Sequence, residues 1–109
     1  MKLLETRYKE MMDNFENIVT LELLYFNIGA DIGRLNGELS NKYYDARKIR
    51  LELKKKEYKS IAAFNSDYKD TDEYISMKQY GYQIEGLARM CAGIKMRVES
   101  LRMELKGQY

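Results

Sequence analysis

The sequence contains no histidine, no tryptophan and no proline. Without histidine, acid–base catalysis would need a carboxylate, lysine or tyrosine of displaced pKa, and no polar residue interrupts the apolar rows to suggest a buried one. A zinc site would need several cysteines or histidines, and Asp67, Asp70 and Asp72 lack the glycine and distal glutamate of a calcium loop. The sequence therefore predicts a protein without catalytic residues, metal or cofactor.

A single cysteine and short apolar runs limit the compartment. Cys91 cannot form an internal disulfide, and its place in an apolar row favours an inert, buried thiol over a nucleophile. The most apolar stretch, residues 18–28, is interrupted by Glu22 and Asn27 and is too short to cross a bilayer. Because Glu5 follows only two leucines, the start does not resemble a signal peptide. We expect a cytoplasmic protein with no membrane contact.

The charge is small in total but uneven along the chain. Nineteen Lys and Arg against 17 Asp and Glu leave a net charge of +2, which gives no overall argument for nucleic-acid or membrane binding. Residues 1–38 carry −3, 39–60 carry +5, 61–75 carry −3 and 76–109 carry +3. Positive charge is therefore concentrated in one short segment.

Apolar or weakly polar side chains recur at alternating steps of three and four in the last third of the chain. This C-terminal seam comprises Met77, Tyr80, Ile84, Leu87, Cys91, Ile94, Val98, Leu101 and Leu105. The spacing predicts a helix whose stripe packs on another helix. β-branched residues alternating with leucine favour a parallel dimer, whereas the like charges of Arg97 and Arg102 beside the stripe favour packing within one chain.

A second periodic row, from Leu4 to Leu53, predicts further helix but contains Gly29, Gly33 and Gly37. Each glycine costs a helix interior about 1 kcal/mol relative to alanine. We expect a break, with Gly29 ending one helix and Asp31 capping the next. The alternative is a continuous helix whose glycine face lets another backbone approach closely.

A polar segment, residues 64–74, predicts the next turn, because Asp70 and Glu73 have the spacing of a capping box. The predicted fold is all-α, with one domain over residues 1–109. Helices are predicted at about 3–28, 31–64 and 71–106; if the glycine segment does not break the helix, the first two form one continuous helix. They form a helical hairpin or a three-helix bundle with coiled-coil-like seams.

A turn centred near residue 68 sets the register of the last two predicted helices. If they are antiparallel, Leu87 lies opposite Ile49 and Leu101 lies opposite Leu35.

Two surfaces are candidates for binding. The basic patch comprises Lys42, Arg47, Lys48, Arg50, Lys54, Lys55, Lys56 and Lys59, interleaved with Tyr43, Tyr44 and Tyr58. Cations beside aromatic rings can bind nucleic acid, and the cations alone can bind an acidic protein surface. Alternatively these cations only form a solvent-exposed helix face. In that case Tyr43 belongs to the buried row, and nearby acidic residues form ion pairs with the cations.

The second surface is rich in methionine and small residues and lies on the last predicted helix: Met96, Met103, Ala92 and Gly93. A polar solvent-facing side would not have this composition. It is either ordinary helix packing or a contact with a subunit or partner, since methionines suit adaptable interfaces.

Two segments of the chain are similar in style to a known class of proteins: LELLYFNIGADIGRLNGELSNKYYDARKIRLELK and YGYQIEGLARMCAGIKMRVESLR. The chain is short, rich in Lys, Glu, Tyr and Met, and lacks proline. With these two segments it resembles small helical early-region proteins of bacteriophages and prophages of Gram-positive bacteria. The resemblance implies a protein that binds DNA-processing machinery or inhibits a host or competitor protein.

From these patterns we expect a non-catalytic, self-associating helical protein that binds a partner protein or nucleoprotein complex stoichiometrically. The alternatives are a DNA-binding accessory factor of recombination or replication and a purely architectural oligomerisation module.

Overall fold

The computed structural model describes residues 2–107, which form four α-helices. Their bounds are α1 Lys2–Asp13, α2 Ile18–Leu53, α3 Ile61–Lys69 and α4 Asp72–Gly107. No strand occurs among these residues, so the predicted all-α class is confirmed. None of the four helices is long and apolar enough to span a membrane.

The chain divides into two compact units. Unit 1 comprises the chain up to Arg34 together with the chain from Gln83 onward, and unit 2 comprises Leu35–Tyr82. Unit 1 therefore contains α1, the first half of α2 and most of α4. Unit 2 contains the rest of α2, all of α3 and the start of α4.

The C-terminal seam supplies one side of the core of unit 1. Its buried residues are Leu21, Leu24 and Ile28 from α2 and Leu87, Met90, Ile94, Val98 and Leu101 from α4. Fully burying one such aliphatic side chain contributes about 1.5–3 kcal/mol. The core of unit 2 is smaller, with Leu35, Ala46 and Met77 buried. Four seam residues in unit 1, Leu87, Ile94, Val98 and Leu101, are thus covered within a single chain, whereas Leu105 is exposed.

The first helix ends much earlier than the periodicity predicts. Asn14 Nδ2 donates to the carbonyl oxygen of Glu10 at 2.8 Å, which satisfies a free acceptor at the end of α1. Asn17 Oδ1 accepts from the Thr20 amide at 3.0 Å and so caps α2. The predicted helix 3–28 is wrong, because the apolar period continues across two asparagines that terminate the backbone ladder.

Asn17→Ala should lower the free energy of unfolding by about 1 kcal/mol, since it removes the cap of α2. Asn41→Ala is the matched control, because Asn41 is exposed inside α2. There alanine should raise stability by up to about 0.7 kcal/mol through helix propensity. Urea unfolding followed by circular dichroism measures both, and effects of the same sign would contradict Asn17 as a cap.

The expected break at Gly29 and Asp31 is also wrong, because α2 runs uninterrupted through all three glycines. A Cβ added at Gly29, Gly33 or Gly37 would meet nothing within 4 Å. Asp31 caps nothing; it accepts from Arg7 Nε of α1 at 2.7 Å. Packing of α2 along its length therefore outweighs the low helix propensity of glycine.

Most of the predicted turn at 64–74 is helix. α2 ends at Leu53, and Ser60 caps α3 by accepting from the Ala63 amide at 3.1 Å. The Thr71 hydroxyl, 3.3 Å from the Tyr74 amide, caps α4 in place of Asp70. The predicted second helix, 31–64, was too long. Apolar side chains on both sides of the connection between α2 and α3 hide the end of α2 and the Ser60 cap of α3.

The predicted register of α4 is wrong as well. Within unit 1, Arg102 pairs with Glu22, and Cys91 Sγ lies 4.0 Å from the carbonyl oxygen of Tyr25. Leu101 therefore packs in unit 1, beside the start of α2, whereas Leu35 belongs to unit 2. Because Cys91 lies beside Tyr25, Leu87, one turn earlier on α4, lies beside the first half of α2 and not opposite Ile49. The register moves because α2 ends at Leu53, far before the assumed turn centre.

Candidate functional site

Unit 2 carries the whole excess of positive charge. It contains ten Lys and Arg against eight Asp and Glu, whereas the rest of the chain contains nine of each. It also holds seven of the ten tyrosines. Cationic and aromatic side chains are therefore concentrated in the same unit.

The basic patch does not lie on a single helix. Four of its members belong to α2 and four to the connection between α2 and α3; in chain order they are Lys42, Arg47, Lys48 and Arg50, then Lys54, Lys55, Lys56 and Lys59. Seven of them are exposed. Lys42 is half-buried, with Nζ 5.4 Å from the centre of the Tyr80 ring, a cation–π distance.

Part of the basic patch lines a groove of about 460 Å³ within unit 2. Five residues line it: Tyr43, Arg47 and Arg50 from α2, Tyr68 from α3 and Met77 from α4. The first three lie at i, i+4 and i+7, which is one face of a helix. The Arg50 guanidinium carbon lies 5.9 Å from the centre of the Tyr68 ring, which orients the cation.

Tyr43, which lines this groove, is exposed although the sequence predicts it to be buried. Its place in the apolar row predicted burial, but it is 57% exposed. The inner face of α2 passes instead through half-buried Lys42 and buried Ala46. The aliphatic stem of Lys42 can occupy an inner position while its ammonium reaches Tyr80. Tyr43, one residue on, is turned about 100° towards solvent.

Sequence reasoning missed Tyr68 as a groove residue and placed Met77 only in the C-terminal seam. Tyr68 lies in the segment predicted as a turn, where nothing marked it as a partner of Arg50. Its ring also packs edge-on against Tyr74, with centres 4.9 Å apart. Arg50 and Tyr68 are far apart in the sequence, so no periodic pattern links them. Their contact is visible only in the folded chain.

The methionine surface lies in unit 1 and is open to solvent. Met96 and Met103 are each 71% exposed, and Ala92 and Gly93 are also exposed. Gly93 lines a separate groove with α1 residues Leu4, Tyr8 and Met11. Met96 and Met103 do not line that groove, so the structure does not gather these four residues into one cavity.

The remaining seam residues have ordinary packing roles. Leu87, Ile94, Val98 and Leu101 are buried, while Ile84 and Cys91 are half-buried. Burial raises the pKa of the Cys91 thiol, which disfavours the reactive thiolate.

The arginines beside the C-terminal seam bind within the chain. Arg97 Nε donates to the carbonyl oxygen of Phe15 at 2.8 Å, and its Nη2 lies 2.7 Å from Glu16. Arg102 pairs with Glu22. In α1, Arg7 contacts Asp31 and Glu10, and the hydrogen bond that Arg7 donates to Asp31 raises the pKa of Arg7. Like charges beside the seam are thus neutralised internally.

Among residues 2–107, no three His, Cys, Asp or Glu side chains are grouped closely enough to hold a metal ion. Comparison of the chain with known protein families, with curated proteins and with solved structures gives no significant match. The surfaces of the chain are therefore the features that bear on its function.

Proposed function

We propose that this chain is a non-catalytic interaction protein that binds a partner protein or nucleoprotein complex stoichiometrically, through the basic patch in unit 2. One observation carries the proposal: the excess positive charge and most tyrosines share this unit, with seven of the eight patch cations exposed. Exposed cations steer anionic partners and raise association rates. The exposed Met96 and Met103 offer adaptable apolar contact.

For the scaffold of this function we propose a three-helix bundle in unit 1. The pairs Arg7–Asp31 and Arg102–Glu22 join α2 to α1 and α4 respectively. Arg97 further joins α4 to the α1–α2 connection at Phe15. We also propose that the protein works in the cytoplasm of a bacterial host, the setting that its resemblance to phage early-region proteins implies.

A second candidate function is architectural, as a self-associating module. Val98 and Leu101 are buried in one chain, so they are poor candidates for the subunit contact that the dimer hypothesis assigned to them. α2 instead exposes Val19, Leu23 and Phe26 at steps of four and three. Such a face is typical of helix association, and we propose it as the contact between copies.

Replacing Lys54, Lys55 and Lys56 together by glutamate should reduce partner capture by about tenfold or more, because complementary charge becomes repulsive. The control, Lys9→Glu with Lys95→Glu and Lys106→Glu, changes the net charge equally at three other exposed positions. The measurement is affinity capture from lysate of the encoding organism, with and without nuclease, quantified by mass spectrometry. Equal loss in both variants would contradict the proposal.

A further inference from the structure

We propose that the groove lined by Tyr43, Arg47, Arg50, Tyr68 and Met77 binds single-stranded nucleic acid, with a base stacked on Tyr43 and phosphates on the two arginines. This inference rests on the proposed function, because it names the anionic ligand that binds to the basic patch in unit 2.

Charge gives the first argument. None of the five lining residues is acidic, and two are arginines. Arg47 and Arg50 are exposed and lie one helical turn apart, about 5–6 Å between their Cβ atoms. Guanidinium groups bind phosphate oxygens through paired donors, so two of them in this arrangement fit neighbouring phosphates of one strand.

The exposed ring gives the second argument. Tyr43 is 57% exposed at the edge of the groove, so a face of its ring is available to a ligand. Bases stack on such rings, and stacking tolerates any sequence because every base has a π-face. Free phosphate would use the arginines but not the ring. A duplex keeps its bases stacked on one another, so the site favours an unpaired strand.

The walls give the third argument, because the groove is already ordered. Tyr68 holds Arg50 by a cation–π contact of 5.9 Å and is itself held by Tyr74. Met77 is 8% exposed and forms an apolar floor. A cation placed in advance loses little conformational freedom on binding, which preserves affinity.

Fluorescence anisotropy of the full chain with short labelled oligothymidylate and oligouridylate tests the inference. Tyr43→Ala should weaken binding about 5- to 150-fold, the range expected for one lost base stack. Tyr44→Ala is the matched control, since Tyr44 is exposed on the same helix and does not line the groove. It should leave affinity unchanged, and Tyr43→Phe should retain it. Thermal melting by circular dichroism checks that each variant is folded.

A salt series separates phosphate contacts from stacking. Arg47→Gln with Arg50→Gln should reduce the slope of log affinity against log salt by about 1.4, or about 0.7 for each lost phosphate contact. Inorganic polyphosphate and a duplex serve as comparison ligands, and both should bind more weakly than the single strands. Tighter binding of oligothymidylate or of oligouridylate shows whether the ligand is single-stranded DNA or RNA.

Three results would overturn the inference: no oligonucleotide binding, equal losses from Tyr43→Ala and Tyr44→Ala, or polyphosphate binding as tight as oligonucleotide binding. If oligonucleotides do not bind but lysine-dependent capture persists after nuclease treatment, the groove assignment fails and the proposed function stands. If both are lost, the proposed function fails too.

Discussion

Ile94→Ala should lower the free energy of unfolding by about 2–5 kcal/mol, the usual cost of truncating a large aliphatic side chain in a core. Ile94 has no exposed surface and lies in the buried row of α4. A small domain has only about 5–15 kcal/mol of net stability, so this single change should remove a large share of it. Urea unfolding followed by circular dichroism gives the value.

Met96→Ala is the control for Ile94→Ala. It lies two residues away on the same helix but is 71% exposed, so its effect should stay within about 0.5 kcal/mol. A loss at Met96 as large as that at Ile94 would contradict its exposure in solution. Such a result at high protein concentration alone would instead identify the methionine surface as a contact between copies.

The triple change Gly29→Ala, Gly33→Ala and Gly37→Ala should raise the free energy of unfolding by about 2–3 kcal/mol. All three glycines lie inside α2, and an added Cβ at each meets nothing within 4 Å. Alanine is favoured over glycine by about 0.8–1 kcal/mol at each helical position, and no packing penalty opposes the gain within this chain. The midpoint of urea unfolding should rise with an unchanged denaturant slope.

Gly86→Ala provides the contrast. There an added Cβ would lie 2.9 Å from Leu4 Cδ2, so the end of the Leu4 side chain must move. Repacking offsets the gain in helix propensity, and the net change should be close to zero. If the triple variant is destabilised instead, the glycines serve a close approach by another molecule, and analytical ultracentrifugation would then show weaker self-association.

The sequence was informative wherever a long apolar period coincided with a helix. The rows of residues at steps of three and four predict the all-α class, and the burial of Leu87, Ile94 and Leu101 follows directly from the C-terminal seam. Both signals are local, because a helical face is fixed by spacing along the chain. Helix ends were harder to predict. Asn17, Ser60 and Thr71 form caps, but many other polar residues in the sequence could equally have done so.

The candidate site was predictable only in part. The cations of the basic patch and their neighbouring tyrosines follow from composition over a short segment. The division of these cations between α2 and a loop, and the exposure of Tyr43, do not. Tyr43 and Lys42 are both compatible with an inner position, since a lysine stem packs as an apolar group, and only the rotation of α2 chooses between them.

By itself the sequence determined that this protein is helical, which face of α4 is buried, and where cations accumulate, because each depends on residues close together along the chain. Only the tertiary structure decided the register of α4 and the meeting of Arg50 with Tyr68. These depend on the positions of the helix ends and on how far each helix rotates, and a shift of a few residues at one cap changes every contact between distant segments.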